Sequence, residues 1–209
     1  MKEYVAPIWD APLDAEAYVT AMPQGALIKG LYPGAVLAEA KRRNLHLELL
    51  ADKYLPFLDY SLVHHNRLIV EAAAAFFPDV PLRVGLRKIG RAAVQSLLVT
   101  TFGKAVLGGL TQPETVTRAL IALSRSFTTT ISKPAPAFEI VSTGERSAIL
   151  SMRDAWIFHD CQQIGIIEGL CRACGTRAEV RIAVDGPANA EYLCTWEIAS
   201  PSRPSTPLP

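Results

Sequence analysis

The stretch "AWIFHDCQQIGIIEGLCRACGTRAEVRI", Ala155 to Ile182, decides how this chain folds. Its first twenty residues read as a helix. At about 100° per residue, Ile157, Cys161, Ile164, Ile167, Cys171 and Cys174 fall on one side, the apolar stripe of a core-facing helix. Gly175 stands where a helix commonly ends in a left-handed residue. The period then changes at once. "RAEVRIAV" and "AEYLCTWEI" read as strands, and "DGPAN" between them is turn chemistry.

Working outward, the front half reads mainly helical. "GAVLAEAKRRN" follows the turn "YPG". "SLVHHNRLIVEAAAAFF" is a stronger helix, with Ser61 as its cap and His65, Leu68, Ile69, Ala72 and Phe76 at helical spacing. "PDVP" ends it, and Pro81 suits the first turn of "LRVGLRKIGRAAVQSLLV". "QPETVTRALIALSRSF" makes a further helix. "SFTTTIS", "AFEIVST" and "RSAILSM" are short and rich in β-branched residues, and read as an antiparallel meander. Helices, then strands, then one helix and a hairpin make an α+β fold, an antiparallel sheet covered by helices on one face.

The 209 residues suffice for one good-sized core, expected over 1–199. The closing "SPSRPSTPLP", residues 200–209, has too few apolar residues to pack and reads as a disordered Pro-rich tail with two overlapping PxxP frames. A net charge of +1 gives no field that favours nucleic acid or an anionic membrane. The longest apolar run, "LIVEAAAAFF", is broken by Glu71 and too short to span a bilayer. The acidic start "MKEYVAPIWDAPLDAEAYV" is unlike a signal peptide, so the expected address is cytoplasmic, with reduced thiols.

Cys171 and Cys174 have a spacing known from zinc sites and redox dithiols. A zinc site needs four converging ligands, and Cys161 lies about ten helical residues from Cys171, roughly 15 Å along the axis. A redox pair sits best at a helix start, whereas this pair sits at a helix end, where the dipole opposes a thiolate. Core packing is the preferred reading, and Cys194 joins it by alternating with Tyr192 and Trp196. No metal ligand set and no cofactor is expected. His64 and His65 point about 100° apart on a helix, and His46 and His159 lack a metal-type spacing. "TTFGKAVLGG" lacks the spacing of a phosphate loop. No nucleophile elbow or dinucleotide fingerprint occurs, so no catalytic residue is assigned and no enzyme is expected.

Two other features invite a partner. Arg83, Arg87 and Arg91 recur every fourth residue as a basic stripe, either a solvated helix face or a contact for an acidic partner. Gly165 and Gly169 lie one turn apart and let something approach closely: the sheet, a second subunit or a ligand.

The run "DYSLVHHNRLIVEAAAAFFPDVPLRVGLRKIGRAAVQSLLVTTFGKAVLG" resembles a Myxococcales-restricted family of unknown function, about this long and rich in paralogues. The marks are Phe77-Pro78, Leu86-Arg87 through Gly90-Arg91, then Thr100 or Thr101 with Gly103-Lys104. The back half agrees through "RDAWIFHDCQQIGIIEGLCRACGTRAEVRI" and the closing "TWE", so the resemblance covers most of residues 25–198. More distantly, the back half resembles the superfamily shared by vinyl-reductase-type ligand sensors, haem nitric-oxide-binding proteins and TRAPP tethering subunits. That resemblance implies an α+β domain that binds apolar ligands, acyl chains, haem or partner subunits. Its zinc-bearing members carry further cysteines in the closing hairpin, where this chain has only Cys194. Its haem members use a helical histidine in a context that His64, His65 and His159 do not match.

The expected function is therefore a non-enzymatic regulatory or scaffolding domain. It would bind an apolar small molecule, such as an acyl chain, or a protein partner, or form a homodimer. The candidate ligand residues are Cys161, Ile164, Gly165, Gly169 and Cys171, and the candidate partner residues are Arg83, Arg87 and Arg91. The alternatives are a ligand-free interaction module and a haem or metal sensor.

Overall fold

A computed structural model describes residues 2–133 and 136–198. The Pro-rich tail and its PxxP frames lie outside the described residues. The chain opens with α1 (Ala15–Thr20), β1 (Leu27–Lys29), α2 (Leu31–Arg43), β2 (Asp59–Ser61), α3 (Leu62–Phe76), α4 (Leu82–Val99), α5 (Thr101–Leu107) and α6 (Val116–Thr130). It continues with β3 (Ile131–Lys133), β4 (Ala137–Gly144), β5 (Ser147–Arg153), α7 (Ile164–Ala173), β6 (Thr176–Val184) and β7 (Ala190–Ile198). No helix among the described residues is long and apolar enough to cross a membrane.

The main sheet has four antiparallel strands in the order β4-β5-β7-β6. Its inward face alternates as the pleat requires: Leu150 and Met152 on β5, Val180 and Ile182 on β6, Tyr192, Cys194 and Trp196 on β7 are all buried. Helix α7 lies on this face, and α4 packs against the other side of α7. The apolar stripe expected from the sequence is buried at all six positions, from Ile157 to Cys174. Each Ile or Leu so buried stabilises the fold by about 1.5–3 kcal/mol. The expected architecture, an antiparallel sheet with helices over one face, is the one observed.

Local signals account for the helix boundaries. The Ser61 hydroxyl accepts from the His64 amide at 3.2 Å and caps α3. Asn44 closes α2 in the left-handed region, with φ 55°. Gly175, at φ +71°, turns the chain from α7 into β6.

Three expectations are corrected. The segment "SFTTT" is not strand: α6 runs on to Thr130, because a helix already propagating overrides the β preference of a few threonines. Ile131–Lys133 pairs with β1, not with the meander, in a separate three-stranded sheet ordered β2-β1-β3. The long helix expected from Ala155 is shorter. The Ala155 amide donates instead to the Ala188 carbonyl of the closing hairpin at 2.9 Å, a single turn of π-helix follows over His159–Gln163, and α7 begins only at Ile164.

Candidate functional site

The α4–α7 seam is built from glycines. A Cβ on Gly90 of α4 would collide with the Gln162 carbonyl, and one on Gly165 of α7 would collide with the Arg87 carbonyl. A Cβ on Gly169 would meet Arg91 Cα at 3.1 Å. The close approach that the spacing of Gly165 and Gly169 announces is therefore made by the backbone of α4.

The arginine stripe lies along the same seam. The Arg83 guanidinium pairs with Asp160 and donates to the Ala11 carbonyl at 3.0 Å. Arg87 and Arg91 both reach the Glu168 carboxylate, their Nε atoms 2.8 and 2.9 Å from Oε2. Arg87 also stacks over the Trp9 ring, 4.0 Å from its centroid. Glu168 is only 8% exposed, so this pairing neutralises a carboxylate inside the fold. A depression of about 750 Å³ lies beside it, lined by Trp9, Arg87, Arg146, Glu168, Arg177 and Glu197. It is a charged groove whose Arg87 and Glu168 already hold each other.

All four cysteines are free and buried. The Cys171 and Cys194 sulfurs touch at 4.0 Å, and the Cys174 thiol donates to the Leu110 carbonyl at 3.1 Å. The Cys194 hydrogen bond and burial push the Cys171 thiol up, and burial lifts Cys161 well above the ordinary thiol range. Burial raises Cys174 to about 11. Such thiols behave as small hydrophobes. Among the described residues no group of three or more His, Cys, Asp or Glu could hold a metal ion.

A different site opens between the helices. A cavity of about 130 Å³ is walled by α2, α3, α4 and α6. Its lining is mostly aliphatic and aromatic, with Ile69, Ile89, Val94, Leu97 and Phe127 among the walls. Glu39 and Arg43, both partly exposed, complete it toward solvent. Arg43 covers the Phe76 and Phe77 rings at 4.8 and 5.1 Å, and its guanidinium donates to Glu39 at 2.6 Å. Hydrogen bonds from Arg42 and Arg43 hold the Glu39 carboxyl down at about 2.

Four lining residues are polar and buried: His65, 5% exposed, Asn66, 1%, Gln162, 7%, and Ser126, 9%, whose hydroxyl donates to the Leu123 carbonyl at 2.9 Å. His65 Nδ1, Asn66 Oδ1 and Gln162 Oε1 are closed off from solvent and have no hydrogen-bond partner among the described residues. Burial pushes the His65 imidazole down to about 3, so it is neutral. A buried polar atom without a partner costs about 1–3 kcal/mol, so three along one cavity call for an explanation.

None of Cys161, Ile164, Gly165, Gly169 or Cys171 lines this cavity. Ile166, between the two glycines, does. The sequence places His65 on the apolar face of α3 but does not mark it as part of a site. The usable signal is two polar residues, His65 and Asn66, in a helix that is otherwise apolar on that side.

A family model described as a protein of unknown function (DUF2378) matches residues 22–197. No curated protein matches the chain. Among solved structures, the chain is similar in fold to H-NOX proteins. The Fe(II) unliganded H-NOX protein from K. algicida is 12% identical, with TM-score 0.59, covering 81% of this chain and 97% of that one. The H-NOX protein from S. oneidensis in the Fe(II)NO ligation state is 10% identical, with TM-score 0.56 and coverage of 81% and 99%. An H-NOX structure from work on heme distortion is 11% identical, with TM-score 0.62 and coverage of 86% and 100%.

Haem is the group that this fold likeness brings to mind, and the cavity as it stands is too small for it. Pockets for drug-sized ligands run to about 300–1,000 Å³, several times the cavity seen here. His65 supplies an imidazole on the wall, but the space beside it is that of a single ring, about 130 Å³.

Proposed function

We propose, for a chain that belongs to the DUF2378 family of unknown function, a non-enzymatic ligand-sensing role centred on the interhelical cavity. The observation that carries this reading is an apolar interhelical cavity whose lining includes the buried polar residues His65, Asn66 and Gln162. The likeness in fold to H-NOX proteins supports a sensor over an enzyme, although fold by itself assigns no chemistry. The occupant is an apolar small molecule. An acyl chain would enter only by its end, because its full length exceeds the space.

Toluene is a suitable probe, because a cavity of this size in another protein takes up benzene. Saturable toluene binding, read as shifts of the methyl resonances of Ile69, Ile89 and Leu97, is the expected result. Absence of saturable binding overturns the proposal.

Haem sensing is the second reading. It draws on the fold likeness and on the His65 imidazole, and it requires the cavity to widen several-fold. Titration with hemin decides it. A Soret band that saturates at one equivalent and is lost in His65→Ala supports haem, and a featureless titration removes it.

A further inference from the structure

The strand order β4-β5-β7-β6 leaves β6 with a full neighbour on one side only. On the other side Val5 forms an isolated bridge to Ile182, each amide donating to the other's carbonyl at 2.9 Å. Backbone groups alternate along a strand, so Val180, Ala178 and Thr176 direct theirs outward as Ile182 does. Counting antiparallel from Val5, the residue due opposite Val180 is Pro7, which has no N–H to give. The pairing stops there, and among the described residues nothing else pairs with Thr176–Val180 on that side. The groove of about 750 Å³ lies at this open edge, lined by Arg177, Ala178, Glu179 and Val180 together with Pro7 and Trp9.

Such an edge is a template for another strand, and its charges restrict which one. Arg177 and Glu179 are exposed and alternate with the buried side of β6. Glu179 holds Arg181 at 3.1 Å, with both side chains more than half exposed, so that pair adds little. Unlike charges directly opposite each other favour strand pairing, and like charges oppose it. A two-fold axis centred on Arg177 or on Glu179 would set like charges face to face. Centred on Val180, it would put the copy's Ala178 where Val5 already bonds Ile182. Centred on Ala178, it sets Arg177 against the copy's Glu179, and Glu179 against the copy's Arg177, and leaves the Val5 bridge intact. Apolar surface stands at the same edge: Val5, Ile8 and Ile198 are 53, 68 and 54% exposed. Val5 pairs with Ile182, Ile198 lies opposite Thr176, and Ile8 sits between the groove residues Pro7 and Trp9.

We infer that β6 is a self-association edge, on which a second copy of this chain pairs Thr176–Val180 antiparallel about Ala178. Ala178 bonds the copy's Ala178, and Thr176 bonds the copy's Val180. Arg177 meets the copy's Glu179 in a non-hydrogen-bonded pair, where side chains lie closest. Two four-stranded sheets become one. The pairing owes nothing to the interhelical cavity.

Sedimentation velocity of the full chain over a concentration series reads the dimer. The native chain should pass from monomer to dimer as concentration rises. Glu179→Arg puts like charges opposite each other at both positions and should weaken the dimer by about tenfold or more. Adding Arg177→Glu to it restores both pairs and should recover the dimer. Ala178→Pro removes an outward N–H and spares the ladder to β7, because that group points away from Trp196. It should also weaken the dimer by about tenfold or more. Amide spectra check that each variant is folded. A native chain that stays monomeric at every concentration overturns the inference. A dimer indifferent to both Glu179→Arg and Ala178→Pro overturns it as well, by placing the contact elsewhere.

Discussion

Gly165 of α7 faces the Arg87 carbonyl of α4 so closely that a methyl group has no room between them. Gly90 of α4 stands in the same relation to the Gln162 carbonyl, so the two helices exclude side chains from both directions. Gly165→Ala and Gly90→Ala should each destabilise the fold by on the order of 3 kcal/mol, since neither backbone can yield without moving its helix. Gly25→Ala is the control, because nothing lies within 4 Å of its Cβ position. It should change stability by about 0.5 kcal/mol or less. Urea midpoints for the three variants check this, and equal midpoints would remove the seam as a constraint.

Glu168 sits between Arg87 and Arg91 and is nearly closed off from solvent. Glu168→Gln should cost about 2 kcal/mol, because two guanidinium groups lose their anion in a partly dry site. Salt screens exposed pairs but reaches this one poorly. The loss measured by urea unfolding should therefore persist in 1 M NaCl. A loss that vanishes at high salt would mean a surface pair.

Two histidines make stability depend on pH. Burial pushes His65 down to about 3 and His159 to about 4, against about 6.5 in an unfolded chain. The unfolded chain therefore takes up protons first as pH falls below about 6.5. Stability is complete above that value and is lost toward pH 4, by up to about 1.4 kcal/mol per pH unit for each histidine. Most carboxylates stay ionised between pH 6.5 and 5, so this window isolates the imidazoles. Unfolding free energies across it should fall with acidity, and His65→Leu should remove about half of the slope.

The thiols should be inert. Cys161, Cys171 and Cys174 are buried with raised pKa values, and Cys194 is fully buried. Ellman's reagent at pH 8 should titrate fewer than one thiol in the native protein within minutes and all four in denaturant. Rapid native reaction of Cys171 or Cys174 would reopen a redox role.

Much of the fold is written in local pattern. The apolar stripe from Ile157 to Cys174, the Ser61 cap and the left-handed Gly175 are one-dimensional signals that survive in three dimensions. What escapes is set by distant partners. The strands at Leu27–Lys29 and Asp59–Ser61 are too short to carry a period, and they exist because they pair with each other. Likewise the Ala155 amide leaves the helix for Ala188, more than thirty positions away in sequence. The cavity is less legible still. Cys161, Gly165 and Cys171 stand out by residue type, but the cavity draws on His65, Asn66 and Gln162, which reach one cavity only because α3 and the π-helical turn both pack on α4. The arginines at 83, 87 and 91 were readable as a stripe, whereas Asp160 and Glu168, which pair with them, sit more than seventy residues further on.

The glycine seam carries one more consequence. Helix α4 supplies Ala93, Val94 and Leu97 to the cavity, while its Gly90 and the Arg87 carbonyl engage the segment that leads into α7 on the main sheet. Side chains between helices usually act as springs and absorb small shifts by changing rotamer. At Gly90 and Gly165 there are none, so backbone meets backbone there. A shift of α4 at these two glycines would have no rotamer change to absorb it and would have to move the backbone of α7, which packs on β6.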